Sequence, residues 1–133
     1  MRHLIPALIA AAALAATPAV SAREKLAPED QLAKLLQGRV AGEPQDCISL
    51  FNARSSQIIN KTAIVYKSGG TYWVNRPRSG AESLDDDDIL VTRTTGSQLC
   101  SIDAVQLHDR TSHMYNGFVA LGEFVPYRRA KAE

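Results

Sequence analysis

Residues 62–75 read Thr-Ala-Ile-Val-Tyr-Lys, then Ser-Gly-Gly, then Thr-Tyr-Trp-Val-Asn. Two short runs rich in β-branched and aromatic residues flank a glycine-bearing turn, the pattern of a β-hairpin. The runs hold the only Trp and two of the four Tyr. They therefore carry the largest apolar side chains, and the rest of the chain must pack on them. Gly69 and Gly70 supply positive φ for the turn. With no Lys-Ser/Thr ending and no helix behind them, they do not form a phosphate loop. Tyr66, Tyr72 and Trp73 read as cross-strand core residues rather than a stacking platform. Tyr72 and Val74 point to one side of the strand and Trp73 to the other.

The start of the chain has the three regions of a secretory signal. Arg2 and His3 open it, residues 4–16 are apolar, and Val20-Ser21-Ala22 is a small-residue cleavage site. The apolar run is too short to span about 30 Å of hydrocarbon, and Pro18 follows it closely, which argues against a membrane anchor. The expected division is a signal peptide over 1–22, a helix and linker over 23–42, a β-rich domain over 43–127 and a basic tail over 128–133. Position 23 is Arg, not Cys, so no lipid anchor is expected after cleavage. About 111 residues remain, the size of one small domain.

Without Arg2 the basic residues match the 14 acidic ones. Such a neutral domain lacks the footprint of a nucleic-acid binder. Arg128, Arg129 and Lys131 are the one basic cluster and read as a solvated tail. Cys47 and Cys100 both lie in the exported part, and an even count in an oxidising compartment points to one disulfide. Closing a loop of about 54 residues stabilises a fold by about 4 kcal/mol in the chain-entropy model. No Cys-x-x-Cys spacing suggests a redox or metal pair.

Residues 26–37 predict a helix. Pro28 suits its first turn, Glu29 and Asp30 complement the dipole, and Gly38 stops it. Leu32, Leu35 and Leu36 form one face, which is expected to cover a core. Strands are expected at 47–51, 57–59, 62–67, 71–75, 89–93, 98–100, 103–107 and 117–127. Residues 76–88, with Pro77 and Gly80 and then four Asp, are the expected mobile connection. About six to eight short strands with turn signals between them, and one helix before them, indicate a mainly β domain. A small sandwich or a partly closed barrel with that N-terminal α-helix satisfies the pattern.

Residues able to carry chemistry are few. Asp85, Asp86, Asp87 and Asp88 could attract a hard cation, but the run lacks the alternating ligands, the glycine and the distant Glu of a calcium loop. It reads as a solvated acidic turn. His108 and His113 are offset by five residues, which suits neither a helix face nor a strand face, and no third zinc ligand is signposted. Ser112, His108 and Asp103 could make a hydrolytic triad only if the fold assembled them. The spacing of Asp85, Asp87, His108 and His113 therefore assigns no metal site, and no catalytic residue or cofactor is implied.

Several segments together resemble a family of small exported proteins of uncharacterised function from Gram-negative bacteria. They are Cys47-Ile48, Tyr72-Trp73-Val74-Asn75-Arg76, Leu99-Cys100 followed by Asp103, and the run from Leu121 through Gly122-Glu123-Phe124-Val125-Pro126 to Tyr127. The resemblance implies a periplasmic location and a β-rich domain of unknown function. It implies no catalytic residue and no cofactor. Some relatives in that family carry a second cysteine pair near the equivalents of Ser79 and Ala120, which this chain lacks. The expected function is non-catalytic: a periplasmic or secreted domain that binds another envelope protein or a small ligand. The alternatives are a small metal-dependent or hydrolase-like enzyme using His108 and His113, and a structural or stress-related envelope protein.

Overall fold

The structure is a computed structural model that describes residues 12–15 and 26–131. The expected signal peptide lies outside the described residues apart from 12–15, which form no regular element. No helix among the described residues is long and apolar enough to cross a membrane.

Helix α1 spans Pro28–Leu35, with Pro in its first turn beside Glu29 and Asp30, and Lys34 in its last. Gly38, at φ +77°, ends the turn that follows it. Among the described residues the chain then forms ten strands: β1 (Arg39–Ala41), β2 (Cys47–Ser49), β3 (Ser55–Ile59), β4 (Ala63–Ser68), β5 (Thr71–Asn75), β6 (Asp88–Thr92), β7 (Gln98–Cys100), β8 (Ala104–Asp109), β9 (Tyr115–Ala120) and β10 (Phe124–Arg129). They make a five-stranded sheet in the order β1-β10-β5-β4-β3, a three-stranded sheet β6-β8-β9 and a two-stranded ribbon β2-β7. All pairings are antiparallel. The result is a sandwich-like β fold, not a closed barrel.

The hairpin is the centre of the larger sheet, with Ser68 opposite Thr71 and the turn at Gly69-Gly70. Alternation sorts its side chains into two cores. Ile64, Tyr66 and Trp73 face the core between the sheets, with Leu99, Leu107, Val119 and Phe124 among their neighbours. Val65 and Val74 face the other way, onto Leu32 of α1. The leucine face of the helix thus covers the back of the sheet, and burying Leu32 is worth about 1.5–3 kcal/mol. Arg76 holds the helix start by a two-pronged bond to Glu29 at 2.8 and 3.1 Å. In the inner core the Tyr66 hydroxyl has no hydrogen-bond partner among the described residues, and burial pushes its pKa up. Cys47 and Cys100 are direct partners in the ribbon and are joined by the expected disulfide.

Several expectations need correction. Residues 50 and 51 are not strand: Leu50–Ala53 is a single 3-10 turn, and Phe51 is 67% exposed. The expected linker contains β1, whose Arg39 and Val40 pair with Arg129 and Arg128. The supposed basic tail therefore begins as sheet, and the helix, linker and β region form one folded unit. The last expected strand is two, β9 and β10, placed in different sheets. The break at residues 121–123 is held by buried Asn75, whose amide donates to the Gly122 carbonyl at 2.7 Å and accepts from its N–H at 2.9 Å.

The segment 76–88 is pinned rather than loose. Arg78 donates to the Leu121 and Ser101 carbonyls, Ser79 bridges Ala120, and Leu84 is 2% exposed within the inner core.

Candidate binding cleft

The residues singled out for chemistry are engaged in holding turns. Asp109, at the end of β8, accepts at one carboxylate oxygen from the N–H of Thr111 (3.0 Å), the N–H of Ser112 (2.7 Å) and the Ser112 hydroxyl (3.0 Å). These donors hold its carboxyl below the usual range, the Ser112 backbone bond most of all. The His108 ring lies between the His113 carbonyl, 3.2 Å from Nδ1, and the Gln106 side-chain oxygen, 3.1 Å from Nε2. Asp103 accepts from the Cys100 N–H at 2.8 Å. Ser112, His108 and Asp103 therefore form no relay: the hydroxyl is bonded to Asp109, and the Asp103 carboxylate serves the turn after β7.

The acidic run also divides. Asp85, Asp86 and Asp87 are exposed, with carboxylate oxygens within 4.8 Å of one another, and they are the one group of three or more metal-type side chains among the described residues. His108 and His113 do not join them. Asp88 turns inward, 3% exposed, and accepts from the Asn116 amide at 3.1 Å through both oxygens. Its N–H bonds the Asp85 carbonyl, and the Asp86 N–H bonds the Asn60 side chain. The run is a turn that starts β6 and ties it to the β3–β4 connection.

Asp86 and Asp88 of this turn also line a cleft of about 520 Å³. One wall is Arg54 and the first four residues of β3. The other is Asp86, Asp88, Ile89 and Leu90, with Arg110 from the turn after β8 and Gln31 from α1 completing it. β3 is an edge of the five-stranded sheet and β6 an edge of the three-stranded sheet. The cleft is thus the open seam where the two sheets fail to join. The 3-10 turn before β3 fixes one corner. Its Asn52 accepts from the Ser68 hydroxyl at 2.7 Å, and the Arg54 guanidinium lies 4.9 Å from the centre of the Phe51 ring. Among the described residues neither Arg54 nor Arg110 pairs with a carboxylate; the one ion pair joins Arg76 to Glu29. The wall chemistry combines unpaired guanidinium groups, hydroxyls, half-buried aliphatics and free strand backbone. That suits recognition of a polypeptide segment better than proton transfer.

Sequence reasoning missed this cleft. The one usable signal was the lack of Lys and Pro in both flanking strands, and it acquires meaning only once they are known to be edges. No family model, curated protein or solved structure matches the chain.

Proposed function

We propose that this is an exported, non-catalytic binding domain that engages another envelope protein through the seam between its two sheets. The observation that carries the reading is the 520 Å³ cleft walled by edge strands of different sheets. The histidine, serine and aspartate side chains with catalytic potential are occupied in holding turns, and none of His108, Ser112 and Asp103 is among the residues that line it. Export is supported by the Cys47–Cys100 bond, since such bridges persist in oxidising compartments. It is supported too by the signal-like start of the sequence. The resemblance to small exported proteins agrees with the same location.

Photo-crosslinking in cells producing the full chain tests the reading. A photoreactive residue at Gln57 or Arg110, both in the cleft, should give adducts of one defined mass in the envelope fraction. The same residue at exposed Glu123, outside the cleft, should give none. Absence of adducts from both cleft positions, or identical adducts from all three, overturns the proposal.

A further inference from the structure

We infer that the occupant of the cleft is an extended peptide segment of the partner, added as an extra strand to the free edge of β6. This inference rests on the binding reading above and specifies its mode. The reason lies in how the sheet edges are treated. An uncovered edge strand presents unpaired N–H and C=O groups, and folded proteins normally blunt it by shortness, charge, proline or a covering segment.

β1, β2 and β7 are three residues long. β9 is covered: the Ala120 N–H bonds the Ser79 carbonyl at 3.0 Å, and Gly80 sits so close that a Cβ there would lie 2.5 Å from the Phe118 carbonyl oxygen. β3 and β6 differ from all of these. Each has five residues, and neither contains Lys, Arg or Pro. The one charge, Asp88, is buried. Among the described residues no hydrogen bond outside the strand ladders reaches the backbone of 55–58 or 89–92. Both open edges face the same cleft.

Of the two, β6 is the better template. Its Ile89, Leu90 and Val91 are half-buried strand formers, whereas β3 offers Ser55, Ser56 and Gln57 there. Ile89 stands opposite His108, which stands opposite Tyr115. Val91 stands opposite Gln106, which stands opposite Phe118. A new strand beside β6 would extend these two rows on the outer face of the sheet. Its apolar residues should therefore recur at every second position, with polar residues between them facing the cleft. The partner segment is a short alternating sequence without proline.

The test uses the oxidised full chain and three synthetic nine-residue peptides as probes. One alternates valine and serine, one has the same composition with the valines in a block, and one is the alternating peptide with a central proline. Millimolar alternating peptide should shift the amide resonances of 88–92 and slow exchange at every second amide there. The proline peptide should bind at least about tenfold more weakly, because it cannot complete the ladder. Silence at 88–92, equal binding by the proline peptide, or concentration-dependent shifts there without peptide would overturn the inference; the last would make a second copy of the chain the occupant. If Gln57 and Arg110 crosslink a partner while 88–92 stay silent to every peptide, strand addition falls and the binding reading stands. If both experiments fail, both fall.

Discussion

The two sheets of this small domain are built to different standards. The five-stranded sheet is covered on both faces, by α1 behind and by the smaller sheet in front. Its β4 accordingly buries four residues in succession, Ala63, Ile64, Val65 and Tyr66. Strands covered on both sides read as continuous apolar runs. Among the described residues the three-stranded sheet is covered on one face only. Its β8 alternates, with Val105 and Leu107 buried and Ala104 exposed. Its other face leaves Tyr115 and Phe118 exposed, beside Met114. The difference separates two tasks within one fold. Stability is concentrated around the hairpin, and the surface free for contacts is concentrated on the smaller sheet and its open edge.

Two phenylalanines give the sharpest test of that division. Phe124 is fully buried on the five-stranded sheet and lies against Tyr66, with ring centres 5.9 Å apart. Phe118 is 54% exposed on the three-stranded sheet. Phe124→Ala should cost about 3–5 kcal/mol in urea unfolding of the oxidised protein. Phe118→Ala should stay within about 0.5 kcal/mol, as surface changes usually do. Equal losses would mean that the outer face of the smaller sheet is packed after all, and the contrast would be lost.

The same division explains what could be read from the sequence. The hairpin was legible because its turn chemistry and its partner strands are adjacent in the chain. The helix was legible from its proline, acidic first turn and leucine spacing, and the disulfide from the even cysteine count and the expected compartment. The strand break at residues 121–123 was not. It depends on Asn75 gripping Gly122 across 47 residues, and local alternation carries no trace of that contact. Residues 76–88 looked loose for a similar reason. Their polar composition hides the fact that Arg78 anchors to backbone carbonyls 23 and 43 residues away. The cleft was illegible because being an edge is a property of sheet order, and strand order cannot be deduced from short runs of similar length. The acidic run read as a solvated turn, and its composition could not show that its last member, Asp88, turns inward to begin β6.

Gly80 probes the other edge of the smaller sheet, the covered one. It combines φ +82° with a Cβ position 2.5 Å from the Phe118 carbonyl oxygen, so alanine there is both strained and obstructed. Gly80→Ala should destabilise by about 1–3 kcal/mol, the usual cost of backbone strain. It should also lift residues 79–83 off β9, speeding amide exchange at Ala120, whose N–H bonds Ser79. If stability falls while Ala120 stays protected, the segment is not what covers this edge. The contrast between a guarded β9 and an open β6 would then fail.

The smallest effect concerns the turn that joins β8 to β9 on the uncovered sheet. Asp109 organises it, since three donors converge on one carboxylate oxygen and the His113 N–H bonds the Asp109 carbonyl at 2.8 Å. That bond helps to hold His113 at φ +60°. Because the donors favour the ionised form, the Asp109 pKa is lowered in the folded protein. The sign follows from linkage. A lowered carboxyl contributes stability that is present above its unfolded value, and that stability is lost as the pH falls through the folded value. The group is exposed, so the readout is its own titration rather than global unfolding. Carboxyl-carbon resonances should show Asp109 titrating below the same residue in the unfolded chain. Ser112→Ala removes the hydroxyl donor and keeps both backbone donors, so it should raise the midpoint part of the way back. An unchanged midpoint in the variant would show that the hydroxyl contributes nothing. A wild-type Asp109 titrating at the unfolded value would show that the turn is not held. Tyr115 and the rows of side chains beside it would then lack the fixed starting point that an ordered outer face requires.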